Sequence, residues 1–174
     1  MPIINMVYKK PEPKQYEYTI SNIPTTDTNV YVNVAKSWKT IQKVVFSLSF
    51  NSTTSNWVYC SISWNNSPNN RYWIAQPEAW STFYIRWRLN WASDTQYREI
   101  PWFVNNSTNT VVFTINRDGK CNIVCNWTST DYTAWSAELN VIQTIMNLSD
   151  MNVYASQKWS AITWNKVDVT VTYS

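Results

Sequence analysis

Tryptophan, tyrosine and arginine are the residues of this chain whose chemistry could serve a function. Aromatic residues make up 16% of the 174 residues, tryptophan occurs twelve times, and histidine is absent. Aromatic rings offer apolar faces for stacking, and guanidinium groups fit carboxylates or stack on rings. Histidine is the usual general base and the commonest metal ligand, so its absence argues against acid–base and metal chemistry. We therefore expect the chain to bind a partner and not to catalyse a reaction.

Eight residues are candidates for contact with a glycan or a protein partner. The segments "NNRYWIAQ", "PEAWSTF", "DYTAW" and "QKWSAITW" contain aromatic residues that strand alternation does not explain, so we place them in loops. Rings beside amide side chains suit sugar recognition, but aromatics are also enriched at protein interfaces and could cover the ends of a fold. Both interpretations stay open. The candidates are Tyr72, Trp73, Trp80, Tyr84, Arg86, Arg88, Trp135 and Trp159.

The sequence contains none of the motifs that mark common catalytic or cofactor sites. Three cysteines, an odd number, do not suggest a disulfide framework. On an extended strand Cys121 and Cys125 would lie about 13 Å apart, which is beyond disulfide reach. A carboxylate pair for glycoside hydrolysis stays open among scattered acidic residues, which include Glu78, Asp94, Glu99, Asp131 and Glu138. We expect no cofactor and no enzymatic activity.

A period of two dominates the chain from Gln15 onward. In "STFYIRWRLNW" the apolar residues from Phe83 to Trp91 share one face, while Tyr84, Arg86 and Arg88 share the other. The two arginines could hold an acidic partner or stack on a ring, or they could form a solvated outer face. The segments "KVVFSLSF", "WVYCSISW" and "VDVTVTYS" alternate in the same way and predict strands with one buried face.

One hairpin and one ambiguous segment complete the pattern. In "TVVFTINRDGKCNIVCNW" two alternating runs flank Asp118 and Gly119, a pair that favours a tight hairpin turn. Residues 134–146 have helical periodicity with Ser136 as a candidate N-cap, although alternation there also permits a strand. Further strands are predicted near residues 15–20, 29–35, 98–104 and 159–164.

About ten short strands spaced by about twelve residues predict an all-β fold. We expect an antiparallel two-sheet sandwich of jelly-roll type over residues 15–174, as a single domain. Residues 1–14 are interpreted as an extended anchoring arm, because "KKPEPK" combines proline with charge. The arm residues that could make contacts are Tyr8, Lys9, Lys10, Pro11 and Pro13.

Composition also limits the partners and the place of synthesis. A net charge of +3 without a basic stripe is too weak to indicate nucleic acid or an anionic membrane as a partner. The sequence shows neither an apolar run long enough to cross a bilayer nor a signal peptide. We therefore expect no nucleic-acid partner, no membrane partner and synthesis in the cytoplasm of the producing cell.

The arm in "MPIINMVYKKPEPKQYEYTI", followed by a β domain rich in asparagine and tryptophan over residues 15–174, resembles small virion structural proteins of tailed bacteriophages. Head fibres, decoration proteins and tail or baseplate adaptors are of this type. The resemblance implies a structural, non-enzymatic virion component: a homo-oligomer, often a trimer, docked on other virion proteins through its arm. The alternative is a carbohydrate-binding β-sandwich module that reads a host surface glycan, and both can hold together.

Overall fold

Two six-stranded antiparallel sheets form the body of the protein. The computed structural model describes residues 14–52, 57–64, 70–76, 82–89, 96–159 and 161–174. The first sheet has the strand order β1-β12-β3-β8-β9-β10 and the second β2-β11-β4-β5-β6-β7, which confirms the predicted all-β sandwich. In chain order the elements are β1 (Lys14–Ser21), β2 (Val30–Asn33), β3 (Ile41–Asn51), β4 (Trp57–Trp64), β5 (Arg71–Gln76), β6 (Tyr84–Arg88), β7 (Gln96–Glu99), β8 (Thr108–Asn116), β9 (Lys120–Cys125), β10 (Thr128–Thr133), α1 (Ser136–Met146), β11 (Met151–Lys158) and β12 (Lys166–Tyr173).

The core lies between the inner faces of the two sheets. Phe46 of β3 and Phe113 of β8 are direct cross-strand partners in the first sheet, with ring centroids 6.5 Å apart. Tyr72 of β5 reaches across from the second sheet, and its ring centroid lies 5.9 Å from that of Phe113. All three side chains are fully buried. The prediction that Tyr72 lies in a contact loop is therefore wrong, because its ring packs in the core.

The predicted hairpin around Gly119 is confirmed. The strands β8 and β9 pair antiparallel, and the Gly119 N–H donates to the Asn116 carbonyl oxygen at 2.9 Å. Gly119 has a φ of +82°, a conformation that strains every residue with a Cβ. The sequence places the only glycine of the chain at this position.

The ambiguous segment forms the helix α1, which packs its apolar side against the sandwich. Ile142 and Met146 are buried, as the helical spacing predicts. The N-cap is Trp135 and not Ser136, so the predicted start is wrong by one residue. The reason is Glu138, whose Oε2 accepts the Trp135 backbone N–H at 3.2 Å and so fixes the first turn from that residue.

Two predicted strands are shorter than expected or missing. The strand predicted over 98–104 ends at Glu99, since Pro101 lacks an N–H and Trp102 has a left-handed φ of 66°. The strand predicted over 159–164 does not form. Trp159 and Trp164 have φ values of 62° and 60°, and a left-handed residue turns the chain out of a β ladder. The 3₁₀ turn at 163–165 lies there instead.

Three strands, β5, β10 and β11, were not predicted. Every residue of β11 from Met151 to Gln157 is buried. The segment therefore lacks the alternation of apolar and polar residues from which a strand is predicted. The neighbouring β4 was predicted to have one polar face, yet Ser61 and Ser63 are fully buried on it. The second sheet is therefore covered on both faces along these central strands.

The anchoring arm lies outside the described residues, and with it Tyr8, Lys9, Lys10, Pro11 and Pro13. The last residue assigned to it, Lys14, instead opens β1 and pairs with Tyr173 of β12. The first strand therefore begins one residue earlier than predicted.

Candidate functional site

A row of side chains crosses the outer face of the second sheet, the face that points away from the core. The row runs through direct cross-strand partners on β2, β11, β4, β5 and β6. At about 4.8 Å per strand it is about 19 Å long. We call it the outer row, and its members are Tyr31, Tyr154, Ser61, Trp73 and Arg86.

Strand geometry places this row outside, because each member stands between two residues that face the core. Successive side chains of a strand point to opposite faces. Around Trp73, for example, Tyr72 and Ile74 both belong to the main core cluster, whereas Trp73 belongs to a separate cluster with Tyr59, Ala75 and Tyr154. The outer face therefore has an apolar cluster of its own.

Two guanidinium groups flank the indole of Trp73. The guanidinium carbon of Arg86, its cross-strand partner, lies 5.6 Å from the ring centroid, and that of Arg71 lies 5.8 Å from it. Arg71 also stacks on Tyr59 at 5.1 Å. Such contacts fix the orientation of an arginine and leave its N–H donors available at the edge of the guanidinium plane.

Most of this cluster is buried, and we call this buried part the recess; one ring stands open at its end. The exposed fractions are 0% for Ser61, 2% for Tyr154, 4% for Tyr59 and 6% for Trp73, against 57% for Tyr31. The rings of Tyr31 and Tyr154 lie 5.4 Å apart at their centroids. The row thus joins an exposed aromatic ring at one edge to a recessed aromatic and cationic cluster.

In the part of the chain that the structure describes, Arg71 Nε is buried without a hydrogen-bond partner, and the buried Tyr59 and Ser61 hydroxyls, which lie near each other, form no hydrogen bond of good geometry. A buried polar atom without a partner costs about 1–3 kcal/mol, so such atoms call for an explanation.

Burial shifts the pKa values of two donors on this face in opposite directions. Burial raises the pKa of the Tyr59 hydroxyl, so this group is a neutral donor throughout the physiological range. Burial lowers the pKa of Arg86, and repulsion from Arg88 lowers it further. The carboxylates at the margins are Glu99, opposite Tyr84 on the edge strand, and Asp27, which accepts a hydrogen bond from Ser156.

The structure brings four of the predicted contact residues together and separates the others. The four share the outer face of β5 and β6, where Arg88 stands opposite Arg71; they are Trp73, Tyr84, Arg86 and Arg88. Trp73 lies on a strand and not in a loop, so that part of its prediction is wrong. Trp80 lies outside the described residues.

Trp135 belongs to a different cluster at the start of α1. Its ring meets Trp87 edge-on at 5.7 Å and lies 4.7 Å from the guanidinium carbon of Arg98. Below it the buried Glu138 carboxylate accepts hydrogen bonds from the Tyr72 hydroxyl at 2.6 Å and from Arg98 at 3.5 Å. These contacts hold the helix on the second sheet, and they account for a buried carboxylate at this point.

Sequence reasoning missed five members of the outer face: Tyr31, Tyr59, Ser61, Arg71 and Tyr154. A signal was present for three of them. Tyr59 and Ser61 occupy the second face of the alternating segment "WVYCSISW", and Arg71 lies two residues from Trp73 and so on the same face. Only knowledge of the strand order could have brought Tyr154 beside them.

Five exposed tryptophans form a second set of unusual residues, and all have left-handed backbone conformations. They are Trp38, Trp102, Trp127, Trp159 and Trp164, with φ values between 60° and 71°. Their exposed fractions range from 60% to 102%. A left-handed conformation is uncommon for a bulky residue and costs about 1–2 kcal/mol.

Four of these tryptophans lie at the same end of the sandwich, which we call the tryptophan end: Trp102, Trp127, Trp159 and Trp164. Side-chain amides fix its loops. The Asn126 side chain donates to the Trp102 carbonyl oxygen at 3.1 Å, and the Gln157 side chain donates to Asn165 at 2.7 Å. The segment 159–165 is tied to the end of β3 by the hydrogen bond from the Asn51 N–H to the Ala161 carbonyl oxygen. The rings are therefore displayed on ordered loops.

Within the described residues no group of three or more His, Cys, Asp or Glu side chains could hold a metal ion. No helix in that part of the chain is long and apolar enough to cross a membrane.

A scan against protein-family models and a search of curated proteins gave no match to this sequence. Solved structures do share its fold. The fructofuranosidase from Schwanniomyces occidentalis complexed with fructose has a TM-score of 0.55 and 9% identity, over 90% of this chain and 33% of that one. The leech intramolecular trans-sialidase complexed with 2,7-anhydro-Neu5Ac has a TM-score of 0.51 and 13% identity, over 93% and 26%.

A third likeness is to the CBM2 module of Lactobacillus casei BL23 phage J-1 evolved Dit, with a TM-score of 0.46 and 7% identity over 83% of this chain and 67% of that one. This chain spans about a third of the fructofuranosidase and about a quarter of the trans-sialidase. At such identities the first two likenesses establish a shared β-sandwich fold alone. The third is too weak to carry an argument.

Proposed function

We propose that this chain is a carbohydrate-binding β-sandwich module that holds an oligosaccharide across the outer row. The row itself carries the proposal. It combines an open ring at Tyr31, recessed rings at Tyr154 and Trp73, and hydroxyl and guanidinium donors beside them. Sugar rings present C–H faces that stack on aromatic rings and hydroxyl groups that require partners.

The unpartnered atoms of the recess support the same function. These three atoms are buried, so a sugar reaches them only when the side chains that cover them move aside. Tyr59 Oη and Ser61 Oγ can then donate to and accept from sugar hydroxyls, and Arg71 Nε can donate. The solved structures with the same fold include proteins in complex with fructose and with 2,7-anhydro-Neu5Ac. They are compatible with a module of this kind. The expectation that the chain is not an enzyme stays a prediction.

The test is a titration with a panel of oligosaccharides, followed by intrinsic tryptophan fluorescence and by calorimetry. For a sugar that binds, Tyr31→Ala is expected to weaken the affinity roughly fivefold to tenfold, since an aromatic contact contributes about 1–1.4 kcal/mol. Tyr31 is exposed, so its removal leaves the fold intact. The matched control is Trp127→Ala, which removes an exposed ring from the tryptophan end and should leave the affinity unchanged. A panel without any binding sugar would contradict the proposal.

As a second function we propose that the tryptophan end joins copies of the chain to one another or to a larger particle. The observation in its favour is the free-energy cost of holding four exposed tryptophans in left-handed backbone conformations. Exposed tryptophans in strained backbone conformations persist where function requires them. Each such side chain can bury roughly 150–250 Å². Because the four rings are between 60% and 90% exposed, together they offer roughly 450–750 Å², close to the ~800 Å² that one partner contributes to a standard interface.

This second function agrees with the virion component that the resemblance implies. In that proposal the arm of residues 1–14 docks on other virion proteins, and the particle is assembled in the host cytoplasm. Sedimentation of the full chain over a wide concentration range tests the self-association. We expect an oligomer that Trp127→Ala combined with Trp164→Ala weakens and that Tyr31→Ala does not. A monomer at every concentration, with particle attachment unchanged after deletion of residues 1–14, would refute it.

A further inference from the structure

The arginines of the outer face lie close enough together to repel one another. Arg71 of β5 and Arg88 of β6 are direct cross-strand partners, and Arg86 follows two residues along β6 on the same face. Like charges directly opposite each other destabilise a sheet. Arg71 and Arg86, on two adjacent short strands, therefore need a compensating charge or a strong packing reason.

The stacking of the arginines on aromatic rings compensates for this repulsion only in part. The stacking of Arg71 and Arg86 on Trp73 orients both guanidinium groups but does not neutralise them. Among the described residues, neither of these two arginines has a carboxylate within 4.0 Å, and the ion pairs there are Arg98 with Glu138 and Lys166 with Asp168. A positive charge is thus held at a fixed place in the recess.

The geometry suits an anion of a particular shape. A guanidinium group offers N–H donors in a planar fork that matches the two oxygens of a carboxylate or two oxygens of a sulfate. The guanidinium carbons of Arg71 and Arg86 lie 5.8 Å and 5.6 Å from the centroid of the same indole, so an anionic group at the edge of Trp73 is close to both arginines. Two carboxylates lie at the margins of the face: Glu99 on the edge strand β7, and Asp27 beside Ser156. Neither occupies the position at the edge of Trp73.

We propose that the outer row selects an acidic oligosaccharide, whose carboxylate or sulfate group binds between Arg71 and Arg86 while a neutral sugar unit stacks toward Tyr31. The inference rests on the proposed carbohydrate-binding function and adds the ligand class. The register sets the length: Tyr31 and Arg86 stand four strand spacings apart, or about 19 Å. A ligand that contacts both must be a short chain and not a single sugar.

The first test varies the ligand and leaves the protein unchanged. The full chain is titrated with a uronic-acid oligosaccharide, with its neutral methyl ester and with a sulfated oligosaccharide of similar length. We expect the ester to bind at least tenfold more weakly than the free acid. Lowering the pH below about 4 should release the carboxylate ligand, whose group then protonates, and should leave the sulfated ligand bound. Equal affinity for acid and ester would overturn the inference and leave the proposed function standing.

The second test varies the protein. Arg86→Gln is expected to weaken binding of the acidic oligosaccharide tenfold or more and to weaken binding of the ester much less. Arg86→Lys retains the charge without the fork and should fall between the two. Lys120→Gln removes the same charge from an exposed site on the first sheet and is the control. If Lys120→Gln weakens binding as much as Arg86→Gln, binding depends on the overall charge of the protein and not on a specific site, and the inference is overturned.

Polyglutamate and a short oligonucleotide complete the design. Either of them binding as tightly as the acidic oligosaccharide would overturn the inference, because the site would then recognise charge without sugar. If no saccharide binds at all, acidic or neutral, the proposed function fails together with the inference.

Discussion

Trp73 is the residue on which the contacts of the outer face converge. Its indole is flanked by Arg71 and Arg86, contacts Tyr59 at a centroid distance of 6.2 Å, and is 6% exposed. An outward-facing residue of a sheet would ordinarily be half exposed. Its burial shows that the outer face has a packed cluster that holds both arginines in place.

We expect Trp73→Ala to destabilise the protein by about 3 kcal/mol, the usual cost of removing a large buried ring. Urea denaturation followed by circular dichroism measures this change. Trp127→Ala, which removes a tryptophan that is 90% exposed, should change the free energy of unfolding by no more than about 0.5 kcal/mol. Equal effects of the two substitutions would show that Trp73 has no packing role.

The turn of the β8–β9 hairpin requires a glycine at position 119, because a side chain there would be strained and crowded. A Cβ added to Gly119 would lie 3.0 Å from Leu139 Cδ1 and 3.2 Å from the Ala134 Cβ. The tight turn of the hairpin therefore packs directly against the start of α1.

Gly119→Ala should lower the free energy of unfolding by about 1–3 kcal/mol, because it adds a left-handed backbone penalty to this crowding. Thermal and urea denaturation test the change. Lys120→Ala, at the adjacent exposed position, is the control and should have little effect. If Gly119→Ala is as stable as the wild type, the turn has a different backbone conformation.

The elements that sequence reasoning predicted are those with one buried face and one solvent-exposed face. Alternation in β6 correctly assigned Trp87 to the core and Arg86 to the outer face. It failed for β5, where "RYWIAQ" has four consecutive buried residues, and Tyr72 and Trp73 were placed in a loop. A strand buried on both faces has no period of two to detect. The candidate site lies largely on such strands, so only half of it could be predicted.

The two unusual surfaces lie on different parts of the whole molecule. The outer row crosses the middle of the second sheet, whereas the tryptophan end gathers loops from both sheets. Glycan binding at the first and assembly at the second therefore do not compete for the same residues. The predicted virion location stays a prediction.

The whole sandwich should lose stability in alkaline solution. Burial raises the pKa of Tyr72, and burial raises that of Tyr132. The folded state therefore retains these protons at a pH where the unfolded tyrosines have lost them. Their contribution to stability is complete below about pH 10 and falls above it, by about 1.4 kcal/mol per pH unit for each tyrosine.

Urea denaturation at intervals from pH 8 to pH 11 measures this dependence. Tyr72→Phe removes one of the two hydroxyls and should make the decline above pH 10 shallower. A free energy of unfolding that stays constant to pH 11 would contradict the burial of these hydroxyls.

The most direct test of the binding face is to map backbone amide chemical shifts by NMR while an acidic oligosaccharide is added. We expect the shifted amides to lie on β2, β11, β4, β5 and β6, centred on Trp73. Shifts confined to the loops around Trp102 and Trp127, with none on these strands, would contradict the outer row as the site.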